Sequence, residues 1–135
     1  MVTEVIRLFI DGGSNPKKQC SSIGILLINN GRQTQIGQKL ANYVDNHQAE
    51  YLALIKSLEL LIENELTEQL ILCHSDSKML VDAIDKHYTS NDKYKDLLED
   101  LFTLLQQFSN FHLKWISEKE NRGAHELAKQ ALYSK

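Results

Sequence analysis

Asp11 closes the short apolar run "LFID" and is followed at once by Gly12 and Gly13. Asp76 stands at the end of a second such run, "EQLILCHSDS", and Glu50 lies among apolar neighbours in "NHQAEYLAL". Each acid has an ordinary explanation. An Asp before a Gly pair is a turn signal, because its side chain bonds the backbone two residues on and Gly supplies φ > 0. An acid about one turn into a helix complements the positive end of the helix dipole. Brought to one place, the three would repel and raise each other's pKa unless a cation lay between them. Oxygen-only ligation of that kind suits hard divalent ions.

Whether they meet depends on the elements that carry them. "VIRLFID" alternates, with Ile6, Leu8 and Ile10 on one face, and reads as a strand ending on Asp11. "SSIGILLINNG" is a second strand closing in the Asn30-Gly31 turn, and "RQTQIGQKLA" a third, giving an antiparallel meander. From Asp45 to Leu66 the period changes: Leu52, Ile55, Leu58, Leu61 and Ile62 form a helical stripe, and Asp45 and Gln48 have capping-box spacing. Glu50 falls on the apolar side of this helix, beside Ala49 and Ala53. "EQLILCHSDS" is a fourth strand, "SKMLVDAIDKHY" a short helix, "KYKDLLEDLFTLLQQF" a third helix, "NFHLKWIS" a fifth strand and "RGAHELAKQALY" a closing helix.

The order βββαβααβα is α/β with a mixed sheet. A helical crossover joins the first and fourth strands, which makes them parallel neighbours. Ligands in such sheets sit beyond the carboxyl ends of the parallel strands, so Asp11 and Asp76 are expected side by side at one rim.

The bulk properties fit one compact enzyme-sized unit. The 135 residues are 42% hydrophobic and 24% charged, with one Pro and six Gly, which excludes disorder and needs no disulfide framework. Residues 1–135 are therefore expected to form a single domain. A net charge of −3 counts against a partner held by phosphate contacts alone, although an enzyme that binds divalent cations escapes that objection. Cys20 and Cys73 have no metal-ligand spacing and read as core thiols. The start "MVTEVIRLFID" is neither signal nor transit peptide, and no apolar run suits a membrane, so a cytoplasmic protein is expected.

On these residues the chain resembles the type 1 ribonucleases H. The matching pieces are "FIDGGSNP", "NHQAEYLALIKSL", "HSDSKMLVDAI" and "ENRGAHELAKQAL", in register along essentially the whole chain. The resemblance implies a ribonuclease H-like fold, a five-stranded mixed sheet with helices on both faces. It also implies endonucleolytic hydrolysis of the RNA strand of RNA–DNA hybrids by a two-metal-ion mechanism with Mg²⁺ or Mn²⁺. Asp11, Glu50 and Asp76 match three of the family's four catalytic metal ligands, and Asp11 would bridge both ions.

Two departures qualify the resemblance. At the fourth ligand position, where the family has Asp, stands His125. An imidazole removes a negative charge from a site for two dications and shifts preference from Mg²⁺ toward borderline ions such as Mn²⁺. The alternative for His125 is a surface helix histidine, with Glu118, Glu120 or Glu126 supplying the carboxylate. "SEKEN" is also too short for the mobile loop of many relatives, and "YTSNDKYK" lacks a basic protrusion, with Lys86, Lys93 and Lys95 a thin substitute.

For the substrate, the resemblance assigns contacts with the RNA 2′-hydroxyl, the group that tells RNA from DNA, to Gly12, Gly13, Ser14 and Asn15 and to Asn46 and Gln48. Ser75 and Ser77 border Asp76 and either face substrate or cap the next helix. Trp115 is expected in the core rather than as a stacking platform. The reading is thus a metal-dependent, monomeric ribonuclease H. The alternative is a catalytically weak module of the same fold that binds hybrid, structured RNA or a protein partner.

Overall fold

The structure, a computed structural model, describes residues 5–134. Five strands form one sheet: β1 (Val5–Asn15), β2 (Cys20–Asn29), β3 (Arg32–Lys39), β4 (Leu70–Ser75) and β5 (Asn110–Trp115). Their spatial order is β3-β2-β1-β4-β5. The β1–β2 and β2–β3 pairs are antiparallel and the β1–β4 and β4–β5 pairs parallel. The helices are α1 (Asn46–Glu63), α2 (Lys78–Lys86), α3 (Asp92–Leu105) and α4 (Arg122–Leu132), the last entered through a single 3₁₀ turn at Glu118–Asn121. This is the mixed α/β sheet expected from the order of elements.

The local signals act as the sequence suggests. Asn30 and Gly31 both have positive φ, 54° and 79°, as a two-residue hairpin turn of matching twist requires. Asp45 caps α1 by accepting from the Gln48 amide at 2.7 Å, and the Gln48 side chain returns the bond to the Asp45 amide at 2.9 Å.

On one face of the sheet, Ile6, Leu8 and Ile10 of β1, Ile23 and Ile25 of β2 and Ile71 and Cys73 of β4 are buried under Tyr51, Leu54, Leu58 and Leu61 of α1 and Leu98 and Leu101 of α3. The other face receives α4. Gly24 and Gly37 are cross-strand partners there, and a Cβ on Gly24 would lie 2.1 Å from the Ala124 carbonyl oxygen. The two glycines let α4 lie directly on the backbone of β2 and β3. Among the described residues no helix is long and apolar enough to cross a membrane.

Three expectations are corrected. β1 does not end at Asp11: its parallel pairing with β4 stops at Ile10 opposite Ser75, but antiparallel pairing with β2 continues to Asn15 opposite Cys20. Gly12 and Gly13 are strand residues rather than a turn, and neither has positive φ. Trp115 is not core. It is 48% exposed, at the end of β5, an edge strand. Cys73 is buried as expected, while Cys20 is only half-buried.

Candidate active site

The place where β4 ends and β1 continues is a notch at the rim of the sheet, and the three acids line it. Asp11 comes from β1, Asp76 from the residue after β4, and Glu50 from the second turn of α1. One carboxylate oxygen from each lies within 4.8 Å of the others. Asp11 and Glu50 are 5% and 4% exposed, so water screens little of their repulsion.

The backbone forces this proximity. α1 passes so close to β1 that a Cβ on Gly12 would sit 2.5 Å from Ala49 C and Glu50 N. Gly is the residue that admits the approach, and the Gly12 amide donates to Glu50 Oε1. Glycine here serves to bring a helix against a strand, which is a different use from the turn expected.

Each acid is also held by a neighbour. His125 of α4 places Nδ1 2.9 Å from Asp11 Oδ2. Toward an ionised Asp11 that nitrogen carries the hydrogen. Asn121, 1% exposed, donates through Nδ2 both to the Ile10 carbonyl at 2.8 Å and to Asp76 Oδ2 at 3.1 Å. It ties Asp76 to β1. The Trp115 indole donates to the Asp76 carbonyl oxygen at 3.2 Å. Neither Asn121 nor Trp115 was marked as a site residue from sequence; the position of Asn121 four residues before His125, one helical turn away, is the signal that was present.

The electrostatics follow from burial. Desolvation first, then the charge of Asp11, holds Glu50 well above the usual carboxylate range. Asp11 is raised by burial and by Asp76, and hydrogen bonds from Glu50 and His125 partly offset this. Burial and mutual repulsion therefore favour the protonated form at both carboxyls, Glu50 more strongly than Asp11.

A raised carboxyl pKa means the folded state keeps a proton that the unfolded chain has lost, so the contribution to stability is full below about pH 4 and falls as pH rises. We expect the melting temperature in a chelator to decline by a few degrees from pH 5 to pH 8, each pKa unit corresponding to about 1.4 kcal/mol. Glu50→Gln flattens that decline. A thermal melt series at several pH values reads it, and an equal decline in both proteins contradicts the electrostatics described.

The remaining expected site residues divide. Gly12, Gly13, Ser14 and Asn46 line a cavity of about 280 Å³ together with Asp11 and His125. Asn15, Gln48, Ser75 and Ser77 are committed elsewhere. The Asn15 side chain accepts from Lys18 N at 3.2 Å, Gln48 closes the α1 cap, Ser75 Oγ accepts from Ser77 N at 3.0 Å, and Ser77 Oγ caps α2 from Leu80 N at 3.2 Å. Of the alternative acids, Glu120 is tied to Ser117, and Glu118 and Glu126 border a separate depression beside His125.

With that geometry in view, comparison with known proteins assigns the chain. The profile of the reverse transcriptase-like family matches residues 9–131, and the chain belongs to that family. A relative is EbsB of Enterococcus faecalis, a protein named provisionally as a hydrolase, 34% identical over 128 residues that cover 95% of this chain and 94% of the relative. Among solved structures, ribonuclease H1 from Halobacterium salinarum superposes with a TM-score of 0.84 at 23% identity, covering 95% of this chain and 97% of that one. LC11 ribonuclease H1 in complex with an RNA/DNA hybrid gives 0.83 at 22% identity, covering 94% and 96%. The fold is ribonuclease H-like.

Proposed function

We propose that residues 1–135 form one ribonuclease H-like domain that hydrolyses the RNA strand of RNA–DNA hybrids with divalent metal ions at Asp11, Glu50, Asp76 and His125. The observation that carries the reading is the convergence of three acids, two of them buried, within 4.8 Å. Such a cluster costs stability and would be a poor choice for a module that only binds. The donor set fits hard cations: all three are carboxylate oxygens, and a dication among them would offset the repulsion that raises Glu50.

When bound there, Mg²⁺ or Mn²⁺ would supply an activated water and stabilise the leaving oxygen of the phosphodiester. The chain's own residues do the positioning. Asn121 fixes Asp76 against β1, His125 fixes Asp11, and the Gly12 amide fixes Glu50. Gly12, Gly13, Ser14 and Asn46 line the cavity beside Asp11, which supports contacts from them to an RNA backbone and its 2′-hydroxyls. LC11 ribonuclease H1, of the same fold, is known in complex with an RNA/DNA hybrid, which supports that substrate class.

The reading is tested with hybrid labelled on either strand, in Mg²⁺ and separately in Mn²⁺. Cutting of RNA alone is expected. Binding without cutting in either ion transfers the chain to the second reading, a hybrid-binding module, which His125 in place of a carboxylate and the excess of acids favour.

His125→Asp restores a carboxylate to the fourth position and is expected to raise Mg²⁺-supported turnover several-fold relative to Mn²⁺, because the hard ion gains a hard anionic ligand. Initial rates in each metal measure the ratio. An unchanged ratio removes His125 from the ligand set and leaves it as the hydrogen-bond partner of Asp11.

A further inference from the structure

Charge is shared unevenly around the carboxylate cluster. The chain has eighteen acids, yet none between Asp11 and Asp45, where Lys17, Lys18, Arg32 and Lys39 stand. On the opposite side of the site, α3 carries Asp92, Asp96, Glu99 and Asp100, while in α2 Asp82 and Asp85 are matched by Lys78 and Lys86. The two lysines at the start of α3 are already paired, Lys93 with Asp45 at 2.6 Å and Lys95 with Asp92 at 2.7 Å. A polyanion leaving the cluster is repelled by α3 and attracted toward the β1–β2 turn.

The surface in that direction is shaped for a strand. The cavity of about 280 Å³ that has Asp11 and His125 at one end has Leu132 and Tyr133 at the other, with Gly12 and Gly13 between. Tyr133 is 57% exposed, and the Lys18 ammonium lies over its ring, 5.8 Å from the centroid. The end of α4 that presents this ring is anchored. Ser22 Oγ donates to the Ala128 carbonyl at 2.6 Å, and Lys39 Nζ to the Ser134 carbonyl at 2.7 Å. The Lys18 main chain is held at the β1–β2 turn by the bond from its amide to Asn15 Oδ1. A large exposed aromatic ring, held rigid beside lysines, has the composition of a stacking platform for unpaired bases.

We propose that Tyr133, with Lys17 and Lys18, forms a stacking and phosphate site for a single-stranded stretch of the RNA strand continuing beyond the position that is cut. The site lies on the protein's basic side and takes the place of a clamp on α2 and α3. The inference rests on the hybrid reading for its substrate, and its test reads binding rather than cutting.

The experiment is fluorescence anisotropy with Asp11→Asn protein, so that nothing is consumed. The probes are a blunt hybrid and hybrids with an RNA overhang of about eight nucleotides at the 5′ or the 3′ end, within the span such sites cover. One polarity of overhang is expected to tighten binding about tenfold over the blunt hybrid, the scale of one or two stacked bases. Tyr133→Ala and Lys18→Ala added to this background abolish the gain, Tyr133→Phe retains it, and Lys95→Ala on α3 leaves it unchanged. Circular dichroism confirms that each variant is folded. No gain from either overhang, a gain that survives Tyr133→Ala, or equal loss in Lys95→Ala each overturns the proposal. If wild-type protein cuts no hybrid but the overhang gain and its loss in Tyr133→Ala are seen, the hydrolytic reading fails and this one stands.

Discussion

Asp11→Asn is expected to abolish hydrolysis and, in a chelator, to melt higher than the wild type. The two effects have one cause. Asp11 is nearly buried beside Glu50 and Asp76, so its charge is destabilising until a cation offsets it. Asn keeps the shape and can still meet the His125 ring, while removing the charge that raises Glu50. The loss in turnover should reach at least about 10³-fold, the scale of deleting one preorganised group that stabilises developing charge. The gain in stability should be about 1 kcal/mol, or a few degrees in Tm. Unchanged turnover removes Asp11 from the site. A large fall in Tm would mean that the hydrogen bond between His125 and Asp11 outweighs the repulsion from Glu50 and Asp76.

Gly12→Ala is the second large effect, and it acts through the backbone. The new Cβ would lie 2.5 Å from Ala49 C and Glu50 N, neither of which can swing aside as a side chain would. Either α1 moves off the sheet or β1 distorts; both displace Glu50 from the notch and break its bond from the Gly12 amide. The expected cost is about 3 kcal/mol, in the range of overpacked cores, with loss of activity. Gly13→Ala is the control. Its nearest neighbours would be Ser22 Oγ at 3.4 Å and Leu132 Cδ2 at 3.7 Å, ordinary contacts, so its Tm should stay close to wild type. Denaturant melts of the two variants separate them. Equal stability would show that α1 is not pinned at Gly12.

The contrast between the two glycines also shows what was legible in the sequence. The pair reads as a turn because Asp-Gly-Gly carries a local signal, and nothing in β1 alone reveals that β2 continues past the end of β4. Partner length is non-local information. The same limit placed Trp115 in the core: "NFHLKWIS" alternates convincingly, but which strand lies at the sheet edge is decided by topology. Signals complete within a few residues were read correctly, as with the Asp45–Gln48 cap and the Asn30-Gly31 hairpin.

The three acids were found by a middle route. Each is weak alone, and the crossover rule for parallel strands brings Asp11 and Asp76 to one rim without any contact being known. Asn121 escaped because its work is done by a side-chain amide bridging two elements, a role that no local pattern announces. Ser75 and Ser77 border Asp76, and the sequence leaves them open between a substrate role and a cap. In the fold their hydroxyls hold the turn into α2.

If the acid cluster directs a metal-activated water at the RNA strand of a hybrid, the ends of the cut RNA reveal it. RNA carries its own nucleophile, the 2′-hydroxyl, whose attack leaves a 2′,3′-cyclic phosphate; attack by water leaves none. Hybrid labelled in the RNA strand should be cut by the wild-type protein in Mg²⁺ or Mn²⁺, with no cyclic phosphate on any fragment and no cutting once a chelator is added or Asp11 is replaced by Asn. Cyclic phosphate ends, or cutting that persists in the chelator, would contradict the account.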